Sequence, residues 1–284
     1  MITGGNGQLN CPHGICVDDD DQSIFIADRD NARIVEWKLN ENRGRVVAGG
    51  NGQGNRLDQL NQPTDVLIDR QSNALIIADQ GNRRVIRWCR QPNSHGQILI
   101  SDIDCARLAI HEDGSLYVSD WNNNEVRRWK KDETYGTVVA GRNGKGSQLD
   151  QLCFPTSIFV DTDHTLYVSD RDNHRVMKWT KDAKEGMIVA GGNDQGDQTT
   201  QLSFPQGMTV DPSGHIYVAD HDNHRIMRWC EGASEGTIMI GGNGHGDEAN
   251  QLSYPIGLTM DGEGNLYVAD YGNDRIQKFH WDDS

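Results

Sequence analysis

A ten-residue pattern, Asp-x-x-Asn-x-Arg-(Ile/Val)-x-x-Trp, recurs with few departures at six places in the 284-residue chain, led by Asp28, Asp79, Asp120, Asp170, Asp220 and Asp270. The successive spacings are 51, 41, 50, 50 and 50 residues. A unit of that length cannot bury its own apolar face, so a chain built this way must pack copies side by side. Each copy has four parts in the same order. A short apolar run ends in Asp, as in GMTVD (207–211), and an alternating run follows a polar turn, as in IYVAD (216–220). Then come RIMRW (225–229) and a last run such as MIVAG (187–191) in the preceding copy. Alternation and β-branched content predict strands, and no helical period intervenes. Four short strands per copy, six times, predict an all-β, six-bladed β-propeller of four-stranded blades. The chain opens on MITGGN, which aligns with VVAGRN (138–143), whereas the last copy ends after RIQKFHW (275–281). The expectation is therefore that the strand around Met1–Gly5 completes the last blade and closes the ring, removing an open sheet edge. Residues 1–284 are expected to form a single domain, starting abruptly as one excised from a longer polypeptide would.

The recurring Asp and Asn read as turn formers whose side chains accept backbone N–H bonds, with Arg33, Arg84, Arg175, Arg225 and Arg275 as their charge partners. Trp37, Trp88, Trp129, Trp179 and Trp229, with Phe279 in the sixth copy, read as packing residues between blades. Basic residues at the Arg87, Arg128, Lys178, Arg228 and Lys278 positions read as a solvated strand face.

Lys plus Arg number 27 against 42 Asp plus Glu, a net charge of −15 that argues against nucleic acid and anionic membrane surfaces as partners. No apolar run approaches the roughly 18 residues a membrane helix requires, and no signal-peptide pattern precedes Gly4. The cell compartment is left open. Cys11, Cys16, Cys89, Cys105, Cys153 and Cys230 form no CxxC pair and are expected to be free thiols in a monomeric chain.

The segment YVADHDNHRIMRW (217–229), preceded by a GGNGxG…QLxxP loop and a short strand ending in Asp, resembles the NHL repeat family. That resemblance implies the propeller fold, but the family spans sensor ectodomains, RNA-binding proteins, ubiquitin-pathway adaptors and a peptide-amidating lyase. A lyase of that kind takes zinc-binding histidines from several blades near the axis. Here His13 stands at such a position, and Thr64, Ala106, Thr156, Gln206 and Ile256 stand at its equivalents. One histidine does not make a three-ligand site, so no metal, no cofactor and no catalytic residue are expected there. His174 and His224 share one repeat position and read as tolerated turn residues.

Function should lie where copies differ. The residue after each repeated Asp is Arg29, Gln80, Trp121, Arg171, His221 or Tyr271, a varied set in the turns between second and third strands. On the first strands, Gly14, Gly207 and Gly257 correspond to Asp65, Arg107 and Ser157. Asp65, Arg107 and His13 make either a structural ion pair with a neighbour or a polar pocket. The third copy lacks the GGNGxG…QLxxP loop, and Glu125 replaces its Arg. The candidate ligand-binding residues are thus His13, Arg29, Asp65, Arg107, Trp121, Arg171, His221 and Tyr271. The reading is a non-enzymatic module for a protein, peptide or glycan; a hydrolase or lyase with a central divalent metal is the alternative, and an RNA-binding domain the third.

Overall fold

The computed structural model describes residues 8–39, 41–91 and 94–280. The strand expected from Met1–Gly5 lies outside them. Blade 1 comprises β1 (Pro12–Asp18), β2 (Ser23–Asp28), β3 (Arg33–Lys38) and β4 (Arg45–Gly49); blade 2 comprises β5 (Pro63–Asp69), β6 (Ala74–Asp79), β7 (Arg84–Cys89) and β8 (Gly96–Ser101). Blade 3 follows with β9 (Cys105–Ile110), β10 (Leu116–Asp120), β11 (Glu125–Trp129) and β12 (Thr137–Ala140). Blade 4 has β13 (Pro155–Val160), β14 (Leu166–Asp170), β15 (Arg175–Trp179) and β16 (Met187–Gly191), and blade 5 has β17 (Pro205–Val210), β18 (Ile216–Asp220), β19 (Arg225–Trp229) and β20 (Thr237–Gly241). Blade 6 shows β21 (Pro255–Met260), β22 (Leu266–Asp270) and β23 (Arg275–Phe279). Every sheet is antiparallel in chain order, and the fold is the six-bladed β-propeller the repeat predicts.

The chain divides into two compact units: Met1–Cys105 with Ile256–Ser284, and Ala106–Pro255. In the first, Trp88 of blade 2 packs with Phe25, Ala27 and Ile34 of blade 1. In the second, Trp179 packs with Tyr117 and Val126 of blade 3, and Trp229 with Tyr167 and Val176 of blade 4. The recurring Trp is therefore the wedge between consecutive blades, and burying one contributes on the order of 3 kcal/mol or more. The basic position on the third strand of each blade is not simply a solvated face in blades 4 and 6: the Lys178 ammonium lies 5.3 Å from the Tyr167 ring centre and Lys278 lies 5.1 Å from that of Tyr267. A neighbouring tyrosine on the second strand draws the cation down onto its ring.

The Asp, Asn and Arg of the repeat build scaffold. Asp170 is fully buried; Arg175 Nε donates to its Oδ2 at 2.7 Å and Asn173 Nδ2 at 2.8 Å, while Oδ1 accepts the Cys153 N–H at 2.6 Å. The rest of the Arg175 guanidinium donates to the carbonyls of Ser147, Gln148 and Gln151, in the loop that leads into blade 4. Arg84 does the same to Asn55, Arg56 and Gln59, and Arg225 to Asp197, Gln198 and Gln201. Burial pushes the Asp79, Asp170 and Asp220 carboxyls upward in pKa, against the Asn and Arg donors that favour the charge. Each triad thus fastens a lead-in loop to the turn between the second and third strands, which fixes the surface where the candidate residues stand.

Candidate functional site

The turn after the second strand ends in a left-handed residue, and in blades 3 to 6 that residue is Asn124 (φ 57°), His174 (52°), His224 (52°) and Asp274 (52°). Each accepts a backbone N–H from the next lead-in loop. Asn124 Oδ1 takes the Phe154 N–H at 2.9 Å, His174 Nδ1 that of Phe204 at 3.2 Å and His224 Nδ1 that of Tyr254 at 3.1 Å; Asp274 Oδ1 takes that of Cys11 at 2.7 Å. His174 and His224 are therefore acceptors linking consecutive blades, not merely tolerated turn residues. The residues they hold precede prolines and are left-handed themselves, Phe154 at φ 56°, Phe204 at 50° and Tyr254 at 50°. A bulky residue in that conformation costs on the order of 1–2 kcal/mol, which the interblade bond and ring packing offset.

In the unit Ala106–Pro255 these aromatic residues meet the variable turn residues. Trp121 lies 4.9 Å from Phe154 between ring centres. The Arg171 guanidinium sits between two rings, 4.8 Å from Phe154 and 5.0 Å from Phe204, and its NH1 donates to Asp172 at 3.0 Å. His221 lies 5.1 Å from Tyr254, with Nδ1 2.6 Å from Asp222 Oδ1. His174 meets Phe204 edge-on at 4.7 Å, and His224 meets Tyr254 at 4.5 Å. The result is a ledge of Trp121, Phe154, Arg171 and Phe204, with His221 on Tyr254. Each residue is half-buried except Tyr254, which is exposed.

Burial lowers the His221 pKa below its ordinary 6.5, against the pull of Asp222, and the Arg171 charge adds to the lowering. Burial likewise lowers that of His174. Both shifts favour the uncharged ring, which leaves Arg171 as the fixed cation of the ledge. Cys153 Sγ is 3.9 Å from Asp172 Oδ2, but burial raises its thiol pKa, which keeps it protonated and a poor nucleophile. The groups presented are π faces, a guanidinium and polar ring edges.

The other candidates are placed differently. In the unit Met1–Cys105 with Ile256–Ser284, Tyr271 stands beside His13, with ring centres 6.4 Å apart and edge-on. Burial and the neighbouring Cys11 push the Tyr271 hydroxyl up to about 12. Arg29 pairs with Asp30 at 2.8 Å, and His13 Nδ1 is 3.0 Å from the Thr64 carbonyl. Asp65 is only 6% exposed, opposite Ala78 on β6. Arg107, in the other unit, is also 6% exposed, and its N–H donates to Ser119 Oγ at 2.9 Å. The equivalent residue of blade 4, Ser157, bonds through Oγ to the Met208 backbone of blade 5, accepting its N–H at 3.1 Å. In blade 6 the position is Gly257, where a Cβ would fall 2.0 Å from the His13 carbonyl oxygen. This first-strand position is thus one of close blade-to-blade packing. All six cysteines are free, and burial raises the Cys16 thiol to about 12.

Sequence reasoning singled out Trp121, Arg171 and His221 but missed the surfaces they rest on. The signal was present: the residue before Pro in the QLxxP loops is Phe154, Phe204 and Tyr254 in three consecutive copies, against Cys11 and Gln62 in the first two.

Among solved structures, an auxiliary nutrient binding protein from Bacteroides thetaiotaomicron aligns over 95% of this chain and 69% of its own, at 17% identity and a TM-score of 0.73. A gluconolactonase from Xanthomonas campestris aligns over 95% and 86%, at 14% identity and TM-score 0.68. Virginiamycin B lyase from Staphylococcus aureus does so over 95% and 84%, at 15% and 0.59. At these identities the likeness is one of fold, shared by binding proteins and enzymes alike. No curated protein matches the chain by sequence. The NHL repeat model matches residues 9–37, 152–179, 202–228 and 252–279, four of the six blades, each across its Asp-x-x-Asn-x-Arg turn. With those four matches on a six-bladed propeller, the chain belongs to the NHL repeat family.

Proposed function

We propose that the chain is a recognition module that binds a peptide segment of a partner protein on the ledge of Trp121, Phe154, Arg171, Phe204, His221 and Tyr254. The observation that carries this reading is the guanidinium of Arg171 held between Phe154 and Phe204. Planar side chains at fixed positions provide contact area at small entropic cost, and Trp, Tyr and Arg dominate the energetics of protein interfaces. With NH1 donated to Asp172, a guanidinium held on two π faces has its second terminal nitrogen for a carboxylate, so the segment that fits best carries an aromatic or aliphatic anchor beside an acidic residue. The net charge of −15 makes a phosphate backbone a poor alternative.

A peptide array together with a glycan array tests the reading. Peptides with an apolar anchor next to Asp or Glu should be retained. Trp121→Ala and Arg171→Ala should each lose about 2 kcal/mol or more of affinity while melting close to the parent. Retained peptides that bind both variants as well as the parent would place the site elsewhere. Turnover of a lactone by the parent chain would replace the binding reading with an enzymatic one.

A further inference from the structure

The first hairpins of blades 3 and 4, at the other end of the strands from the ledge, bring together His111, Asp113 and His164. Their ligand-type atoms all lie within 4.8 Å of one another. The two imidazoles stack at 3.7 Å between centres. His111 Nδ1 is 2.9 Å from Asp113 Oδ1, and His164 Nε2 is 3.7 Å from Asp113 Oδ2.

The outer nitrogens are already engaged. His111 Nε2 lies 3.2 Å from the Thr162 carbonyl, and since a carbonyl only accepts, this nitrogen carries the hydrogen. Nδ1 accepts the Asp113 backbone N–H at 3.1 Å and also faces the Asp113 carboxylate at 2.9 Å, so the lone pair and the carboxylate share one side of the ring. His164 Nδ1 is 3.1 Å from the Tyr117 hydroxyl. A ring nitrogen bonded to a carbonyl or hydroxyl while the other faces a shared point is the arrangement that orients metal-binding histidines. His111 and His164 are half-buried and Asp113 is exposed, so an ion could enter from the Asp113 side.

We propose that His111 Nδ1, His164 Nε2 and the Asp113 carboxylate form a binding site for a divalent transition-metal ion of the zinc class. Two imidazoles and one carboxylate suit such an ion rather than calcium or magnesium, and three protein ligands leave a fourth position for water. Bonds of roughly 2.0–2.1 Å require donor atoms about 3.3 Å apart in a tetrahedral site. Binding therefore draws Asp113 and His164 inward and splays the stacked rings. The site joins two blades through their hairpins, so occupancy should stiffen that junction.

His164 offers a clean test. It is left-handed at φ 62°, where Gly114, Gly214 and Gly264 occupy the equivalent hairpin position at φ 84°, 82° and 86°. His164→Gly thus removes a ligand from a turn that glycine adopts readily, and His111→Asn removes the other imidazole. His215, whose Nδ1 lies 2.9 Å from Asp211 Oδ2 in the equivalent hairpin of blade 5, is the control. The 284-residue chain, stripped of metal, is titrated with Zn²⁺ by calorimetry and with Co²⁺ by visible absorption. One ion per chain should bind, with cobalt bands of low-coordinate intensity; His164→Gly and His111→Asn should each weaken binding at least about tenfold, His215→Ala should leave it unchanged, and Tyr117→Phe should weaken it less than ligand loss. No saturable binding by the parent, or equal binding by His164→Gly with its melting temperature intact, would overturn the proposal.

Discussion

His174 carries a sharp prediction because the protein contains its own control. Its Nδ1 accepts the Phe204 N–H at 3.2 Å, and one blade earlier Asn124 Oδ1 accepts the Phe154 N–H at 2.9 Å from the same turn position. His174→Ala leaves the Phe204 N–H without its partner and exposes an edge of the Phe204 ring. Loss of an acceptor for a partly buried N–H costs about 1–3 kcal/mol, so the melting temperature should fall by several degrees. His174→Asn restores an acceptor in a conformation that Asn tolerates, and should recover most of the loss. The acid response separates the two further. Burial lowers the folded-state pKa of His174 below the usual 6.5, so between the two values the unfolded chain binds more protons than the folded one. The stability this group supplies is therefore complete above pH 6.5 and is lost as pH falls through 6.5 toward the folded value, where a protonated Nδ1 can no longer accept. In His174→Asn that component of the pH dependence should vanish. Thermal melts of the parent and both variants from pH 5 to 8 make the measurement. If Asn is as damaging as Ala, or if the acid slope survives in His174→Asn, the acceptor role is wrong.

Arg175→Ala should be more damaging, by about 3–5 kcal/mol, because it leaves the buried Asp170 charge without its partner and frees three loop carbonyls. Tryptic cleavage after Lys145, in that loop, should accelerate; a loop as resistant as the parent's would show that other contacts hold it. Gly257→Ala should cost about 1–3 kcal/mol in chemical denaturation, since its Cβ would meet the His13 carbonyl at 2.0 Å. A neutral result there would mean that the first strands can move apart. Ser157→Ala removes the bond to the Met208 N–H and should cost about 1 kcal/mol, read from the same denaturation curves; no change would show that water replaces it.

The blades were legible because alternation, turn residues and a fixed spacing all report the same local geometry. Asp170, Asn173 and Arg175 sit within six residues, so their alliance could be read from one copy. What they hold could not, since Ser147 and Gln151 belong to the loop before the blade. The ledge was half legible for a related reason. Trp121 and Arg171 stood out as variable positions, whereas Phe154 and Phe204 looked like parts of a scaffold loop and meet them only through blade packing. His111 and His164 lie 53 residues apart in ordinary hairpin turns, a separation no ligand motif spans, and neighbouring blades bring them together.

Glu125, which stands where the five other copies hold an arginine paired with the repeat Asp, also sets a rule for rebuilding the protein. The lead into blade 3 runs only from 102 to 104, and Glu125 pairs with Arg127 at 2.5 Å. With no long loop, a guanidinium at 125 would be buried facing no carbonyls, so the short connection and the acidic residue belong together. A graft that lengthens this connection, to carry a recognition sequence or a reporter, should import arginine at position 125 in the same step. Conversely, a loop cut from another blade should take its arginine with it, since loop and cation behave as one transplantable part.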